Sequence, residues 1–81
     1  MRVRLRLFAL AKQRAGRPEL AIDLPEAATV ADLKRALVAA CPDLVEIMPH
    51  LFFAVDSEYA GDDRVIPPGA EIAAIPPVSG G

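Results

Sequence analysis

Arginine and aliphatic side chains alternate through Arg2-Val3-Arg4-Leu5-Arg6-Leu7, and this run restricts the fold more than any other stretch of the chain. A strand turns successive side chains to opposite faces, so Val3, Leu5 and Leu7 share one face and the arginines the other. Residues 2–8 are therefore predicted to form a half-buried strand. Ala9 to Ala15 is rich in helix formers, and Gly16 suits the left-handed position after a short helix, with Pro18 close behind. Leu20, Ile22 and Leu24 then alternate with Glu19, Ala21 and Asp23 until Pro25 ends the ladder, which predicts a second strand paired with the first.

Thr29 is placed to cap a helix, with Asp32 in its first turn and Val30, Leu33, Ala36, Leu37 and Ala40 along one side. Lys34 and Arg35 fall on the wet side. Pro42 disfavours helical backbone in the residue before it, so the helix should end at Cys41. Asp43 to Met48 reads as a further short helical piece, with Leu44, Ile47 and Met48 inward and Pro49 closing it. Leu51 to Val55 is an apolar run suited to a strand buried on much of both faces. Asp56-Ser57-Glu58 then reads as a tight turn into a short strand around Tyr59. Gly61-Asp62-Asp63 is another turn, Pro67-Pro68-Gly69 sets a type II turn, and Glu71 to Ile75 forms the last strand. Such an order predicts an α+β fold, a mixed sheet of about five strands wrapped around one main helix. The first and last strands can lie side by side as parallel neighbours in its centre, which sends the chain outward from the middle of the sheet.

With 81 residues the chain makes one small domain, which buries only about 60 % of its unfolded surface. A single cysteine, Cys41, permits no internal disulfide, and no Cys/His cluster has metal-ligand spacing, so packing must hold the domain. The net charge of -2 conceals an asymmetry: residues 1–18 carry six Lys/Arg and no acid, whereas residues 43–71 carry seven Asp/Glu and only Arg64. A basic strand face can mean nucleic acid or simply a solvated surface with long stems over apolar area. A pI near 5.2 and an aromatic fraction of 5 % argue for the second. No apolar run approaches the roughly 20 residues of a membrane span, so a soluble cytoplasmic protein is expected.

The chain ends in Pro76-Pro77-Val78-Ser79-Gly80-Gly81. Two prolines lock φ and favour an extended exit, whereas two terminal glycines add nothing to bury. On the residues alone, Gly-Gly is either a frayed end or a chemical handle, slender enough for an enzyme channel and finishing in a carboxylate. The other candidates have simpler readings. Cys41 suits a small hydrophobe on the last helical turn, and His50 has no partner at ligand or triad spacing. Phe8, Phe52, Phe53 and Tyr59 read as core or sheet-face packing, although one exposed aromatic would anchor a partner well. Asp56 and Glu58 are better explained by turn chemistry than as an acid pair. There is no P-loop, nucleophile–base pair or metal motif.

Over essentially its whole length the chain resembles the small-subunit family of molybdopterin synthase, the ubiquitin-like sulfur carriers. The residues that carry the resemblance are Leu7-Phe8-Ala9 with the short helix to Gly16, the Thr29-Val30 helix start, Ala54-Val55-Asp56, Pro68-Gly69 with Glu71-Ile72, and above all Ile75-Pro76-Pro77-Val78-Ser79-Gly80-Gly81. The resemblance implies a β-grasp domain over residues 1–81, of which 76–81 is the tail. It implies that an E1-like enzyme adenylates the Gly81 carboxylate with ATP and that a sulfur donor converts it to a thiocarboxylate. The tail would then enter the large synthase subunit, in a heterotetramer of two small and two large subunits, and sulfurate cyclic pyranopterin monophosphate to build the molybdopterin dithiolene. Such a chain is not an enzyme alone and holds no permanent cofactor. Phe8, Lys12 and Ile75 are its implied partner contacts. Family members often have an aromatic before the double proline, Asn after the Ala-Val pair and an arginine in the first helix, where this chain has Ala74-Ile75, Asp56 and Lys12. Lysine keeps the charge and loses the bidentate geometry. The alternatives are a carrier for thiamine synthesis, for tRNA thiolation or for protein conjugation, and a ubiquitin-like interaction module with an idle terminus.

Overall fold

Strand β1 (Arg2–Leu7) buries Val3, Leu5 and Leu7 and exposes all three arginines in the computed structural model, which describes residues 1–77. Helix α1 (Ala9–Ala15) follows and stops at Gly16, whose φ of 75° is left-handed and whose N–H donates to the Lys12 carbonyl. Strand β2 (Glu19–Asp23) returns antiparallel, with Leu5 opposite Leu20 and Val3 opposite Ile22. Leu24 lies beyond the strand yet remains buried, its N–H donating 2.7 Å to the Met1 carbonyl.

Helix α2 (Val30–Ala40) begins on a reciprocal cap. The Thr29 N–H donates 2.9 Å to the Asp32 carboxylate, and the Asp32 N–H donates 3.3 Å to Thr29 Oγ1. Val30, Leu33 and Leu37 are fully buried, and Ala36 packs at the edge of the core. Ala40, expected on the same face, is exposed: the chain leaves the helical path at Cys41, φ -139° and ψ 83°, and lays nothing over it. Lys34, expected in water, is drawn in. Its Nζ lies 2.6 Å from Asp62 Oδ1 and 5.5 Å from the centroid of the Phe53 ring, so the stem covers apolar surface while the charge keeps partners.

Between α2 and the next strand the expected single helical piece is replaced by two 3₁₀ turns, Pro42–Leu44 and Met48–His50. Proline suits the start of a helical turn and not its interior, so Pro42 and Pro49 each open a short turn, and Pro49 closes none. Leu44, Ile47 and Met48 nevertheless all point into the core. Cys41 is half-buried against the same cluster.

Strand β3 (Phe52–Val55) pairs antiparallel with both β4 (Glu58–Ala60) and β5 (Glu71–Ile75). Asp56 and Ser57, at φ 50° and 71°, make the two-residue hairpin turn of the primed type between β3 and β4. The Asp56 N–H donates 2.8 Å to the Glu71 carbonyl, and Asp56 Oδ1 accepts from the Glu71 N–H at 3.0 Å, which clips this turn to the start of β5. Residues 62–66 form a strap over the start of α2: the Val30 N–H donates to the Arg64 carbonyl and the Ile66 N–H to the Ala28 carbonyl. The type II turn that follows has Gly69 at φ 75° and closes with the Ala70 N–H 3.2 Å from the Pro67 carbonyl.

The sheet order is β2-β1-β5-β3-β4, with β1 and β5 parallel. One face of this sheet lies against α2, where Leu5, Leu33, Leu37, Leu44, Ile66 and Ile72 are fully buried, and the opposite face is open. No helix among the described residues is long and apolar enough to cross a membrane.

Candidate functional site

Because β1 and β5 are parallel, they end at the same edge of the sheet, and the chain leaves β5 beside the β1–α1 junction. Phe8 stands at that junction. Its backbone is extended, φ -122° and ψ 151°, so it continues the β1 alternation onto the open face, where its side chain remains 40 % exposed. Its N–H donates 3.3 Å to the Ala74 carbonyl, and its carbonyl accepts from the Ala11 N–H, which ties the start of α1 to the end of β5. Ile75, the last residue of β5, is half-buried opposite Phe52 in the register. Pro76 is half-buried and Pro77 exposed.

Three of the four residues expected to be core or sheet-face aromatics lie on the open face. Phe53 is in the core at 2 % exposure, whereas Phe52 and Tyr59 are 54 % and 73 % exposed. Tyr59 lies opposite Ala54, diagonal to Phe52, and the two rings meet edge-on with centroids 5.9 Å apart. Tyr59, with Phe8, Ala73 and Ile75, frames a shallow groove of about 340 Å³. A second, wider groove of about 810 Å³ runs along Arg2, Arg4, Arg6 and Lys12. Of the expected contacts, Phe8 lines both grooves, Ile75 only the smaller and Lys12, exposed on α1, only the wider. Val78, Ser79, Gly80 and Gly81 lie outside the described residues.

Phe52, Tyr59 and Arg6 were not singled out as site residues from the sequence. For Arg6 the signal was present, since the alternation that buries Leu5 and Leu7 puts it on the open face beside Phe8. Leu51 to Val55 is apolar throughout, and only its register against β5 decides that Phe52 faces out and Phe53 in.

Electrostatics in the described part of the chain are quiet. Asp32 has a carboxyl held below its ordinary range, first by the backbone N–H of Thr29 and then by the Thr29 hydroxyl, with Arg35 adding an ion pair. That shift belongs to the helix cap. Asp56 is committed to its turn, His50 is exposed in the second 3₁₀ turn, and no group of three His, Cys, Asp or Glu among the described residues could hold a metal ion. The described residues thus place an exposed aromatic and basic surface where the chain leaves β5, and the expected reactive group, the Gly81 carboxylate, lies outside them.

The model of the ThiS family matches residues 5–81. This chain belongs to the ThiS family. Its similarity to the molybdopterin synthase sulfur carrier subunit of Chlamydomonas reinhardtii is 35% identity over 83 residues, spanning 100% of both proteins. In structure it is similar to SAMP1 of Haloferax volcanii, with a TM-score of 0.88, 31% identity and 100% of each chain covered. It also shares its fold with a chain of the complex of subunits 1 and 2 of the molybdopterin-converting factor from Helicobacter pylori, at a TM-score of 0.72, 22% identity and 100% coverage of each. The mixed sheet around α2 is accordingly the β-grasp of ubiquitin-like proteins, and the ThiS family match extends through Pro76, Pro77 and the Gly80-Gly81 end.

Proposed function

We propose that this ThiS family member is the sulfur carrier subunit of a molybdopterin synthase. The observation that carries the reading is the parallel β1–β5 pair, which sends the chain out beside an exposed aromatic rim and toward Gly80-Gly81. Full-length similarity to a sulfur carrier subunit of that synthase supports it.

In this reading the Gly81 carboxylate attacks the α-phosphorus of ATP in an E1-like adenylating enzyme, and pyrophosphate leaves. AMP is a far better leaving group than a carboxylate oxygen, so a sulfur donor can displace it and leave a thiocarboxylate. The large synthase subunit receives the tail through Pro76, Pro77, Val78, Ser79 and Gly80. The thiocarboxylate sulfur attacks a carbon of cyclic pyranopterin monophosphate, an oxygen substituent of that carbon leaves, and water hydrolyses the resulting thioester, which keeps the sulfur on the pterin and returns the Gly81 carboxylate. A dithiolene contains two sulfur atoms, which suits a heterotetramer with two carriers and two large subunits. The chain needs no permanently bound cofactor for this, and ATP is consumed by the activating enzyme, in the cytoplasm. Similarity to SAMP1, a small archaeal modifier protein, favours protein conjugation as the second reading.

Intact-mass measurement after incubation with the activating enzyme, ATP and a sulfur source tests the proposal. A carrier gains the sulfur-for-oxygen mass difference, and the thiocarboxylated chain then converts the pterin precursor when the large subunit is added. A chain that stays at its original mass, or that couples only to amines, overturns the reading.

A further inference from the structure

Two of the three arginines on β1 are already paired within the molecule. Arg2 Nε lies 3.2 Å from Asp23 Oδ1, and Arg4 Nη2 lies 3.4 Å from Glu19 Oε2. Arg6 faces Glu19 in the strand register, yet that carboxylate goes to Arg4, and among the described residues Arg6 makes no ion pair. Its guanidinium sits instead 5.5 Å from the centroid of the Phe8 ring. A cation over an aromatic face at this distance is attracted by the ring quadrupole, an interaction that needs none of the five guanidinium N–H donors, whose fork matches a carboxylate. The interaction also restricts a long side chain in advance, so less freedom is lost when a ligand arrives. The residue lines both open grooves, at the seam between the charged one and the aromatic one.

We propose that Arg6, held over Phe8, is a carboxylate-reading anchor, and that the protein docking on the open face presents an Asp or Glu beside an apolar side chain that fills the groove next to Ile75. Complementary charge is the argument for this occupant: on the rim of an aromatic groove a guanidinium that has no ion pair among the described residues favours a carboxylate, and the surrounding Phe8, Tyr59 and Ile75 favour an apolar neighbour to it. The inference deepens the proposed function and rests on its claim that a protein partner covers this face.

The test is calorimetric titration of the full chain, as wild type, Arg6→Ala, Arg6→Lys and Arg2→Ala, into the large synthase subunit and separately into the activating enzyme, at low and high salt. Circular dichroism verifies that each variant is folded. For at least one of the two partners, Arg6→Ala is expected to raise Kd about tenfold or more and to flatten the salt dependence. Arg6→Lys should remain several-fold weaker than wild type, because an ammonium keeps the charge and loses the fork. Arg2→Ala, which removes an equal charge from an exposed internal pair, should stay within about twofold. Equal losses for Arg2→Ala and Arg6→Ala would mean general charge steering and would overturn the proposal, as would Arg6→Ala binding both partners like wild type. Wild type binding the activating enzyme but not the large subunit defeats the molybdopterin reading while leaving Arg6 decided by the enzyme titrations. Binding to neither protein, or sedimentation showing that only a second copy occupies the face, overturns the inference itself.

Discussion

Gly69 and Gly81 are the same residue type serving different ends. At Gly69 the backbone takes φ 75° at the third position of a type II turn, and a Cβ there would meet nothing within 4 Å, so glycine is present for its conformation alone. In the proposed function Gly81 serves through its carboxylate and its width. Replacing Gly81 with alanine puts a methyl group beside the reacting carbon, in the narrowest part of any channel that receives it. Gly81→Ala is expected to lose nearly all thiocarboxylation, read by intact mass, with the melting temperature unchanged. Full sulfur loading of that variant would remove the terminal mechanism. Other residues were less legible at this scale. Lys34 sits on the outer side of α2 by helical spacing, and the Asp62 and Phe53 that hold it come from far along the chain.

Among the elements, α2 was legible almost to the residue, because its start is written locally in Thr29 and Asp32 and its stop in Pro42. The cap also gives the fold an acid-sensitive component. Asp32 titrates below its ordinary value of 3.8 when folded, so its contribution is fully present above that value and is lost as pH falls through the lower folded value. Urea unfolding as a function of pH should therefore show Asp32→Asn less stable than wild type near neutrality. The two curves should converge on the acid side of the window, since protonation removes the same charge that the substitution does. Curves that stay parallel throughout would show that the cap carriers no proton linkage. Strand β3 was harder to read. Its burial pattern depends on which of its apolar residues faces β5's inner side, and that pairing is nonlocal. The two 3₁₀ turns were obscured for a different reason: inward Leu44, Ile47 and Met48 suit a helix as well as two turns, and only the positions of Pro42 and Pro49 tell them apart.

At the scale of the whole molecule, the proposed function divides the labour between body and tail, so each should be open to damage separately. Topology was legible from the strand order, because the central pairing of β1 with β5 follows from one chain start and one chain end that both alternate around a single helix. The aromatic rim was not, since it is assembled from β1, β3, β4 and β5 and belongs to no one of them. Leu5 is 0 % exposed, between sheet and helix, so Leu5→Ala should cost roughly 2–5 kcal/mol of unfolding free energy by removing buried surface and leaving a cavity. Out of the roughly 5–15 kcal/mol typical of a domain, that is a large fraction. Below its lowered melting point, however, this variant still presents Gly81, and should accept sulfur to the same extent as wild type. Deletion of residues 79–81 should do the reverse: unchanged unfolding free energy in urea, because Ser-Gly-Gly carries no apolar side chain to bury, and no sulfur loading at all. If the deletion destabilised the body as much as Leu5→Ala does, the tail would be part of the fold, and the separation between a positioning domain and a reacting terminus would fail.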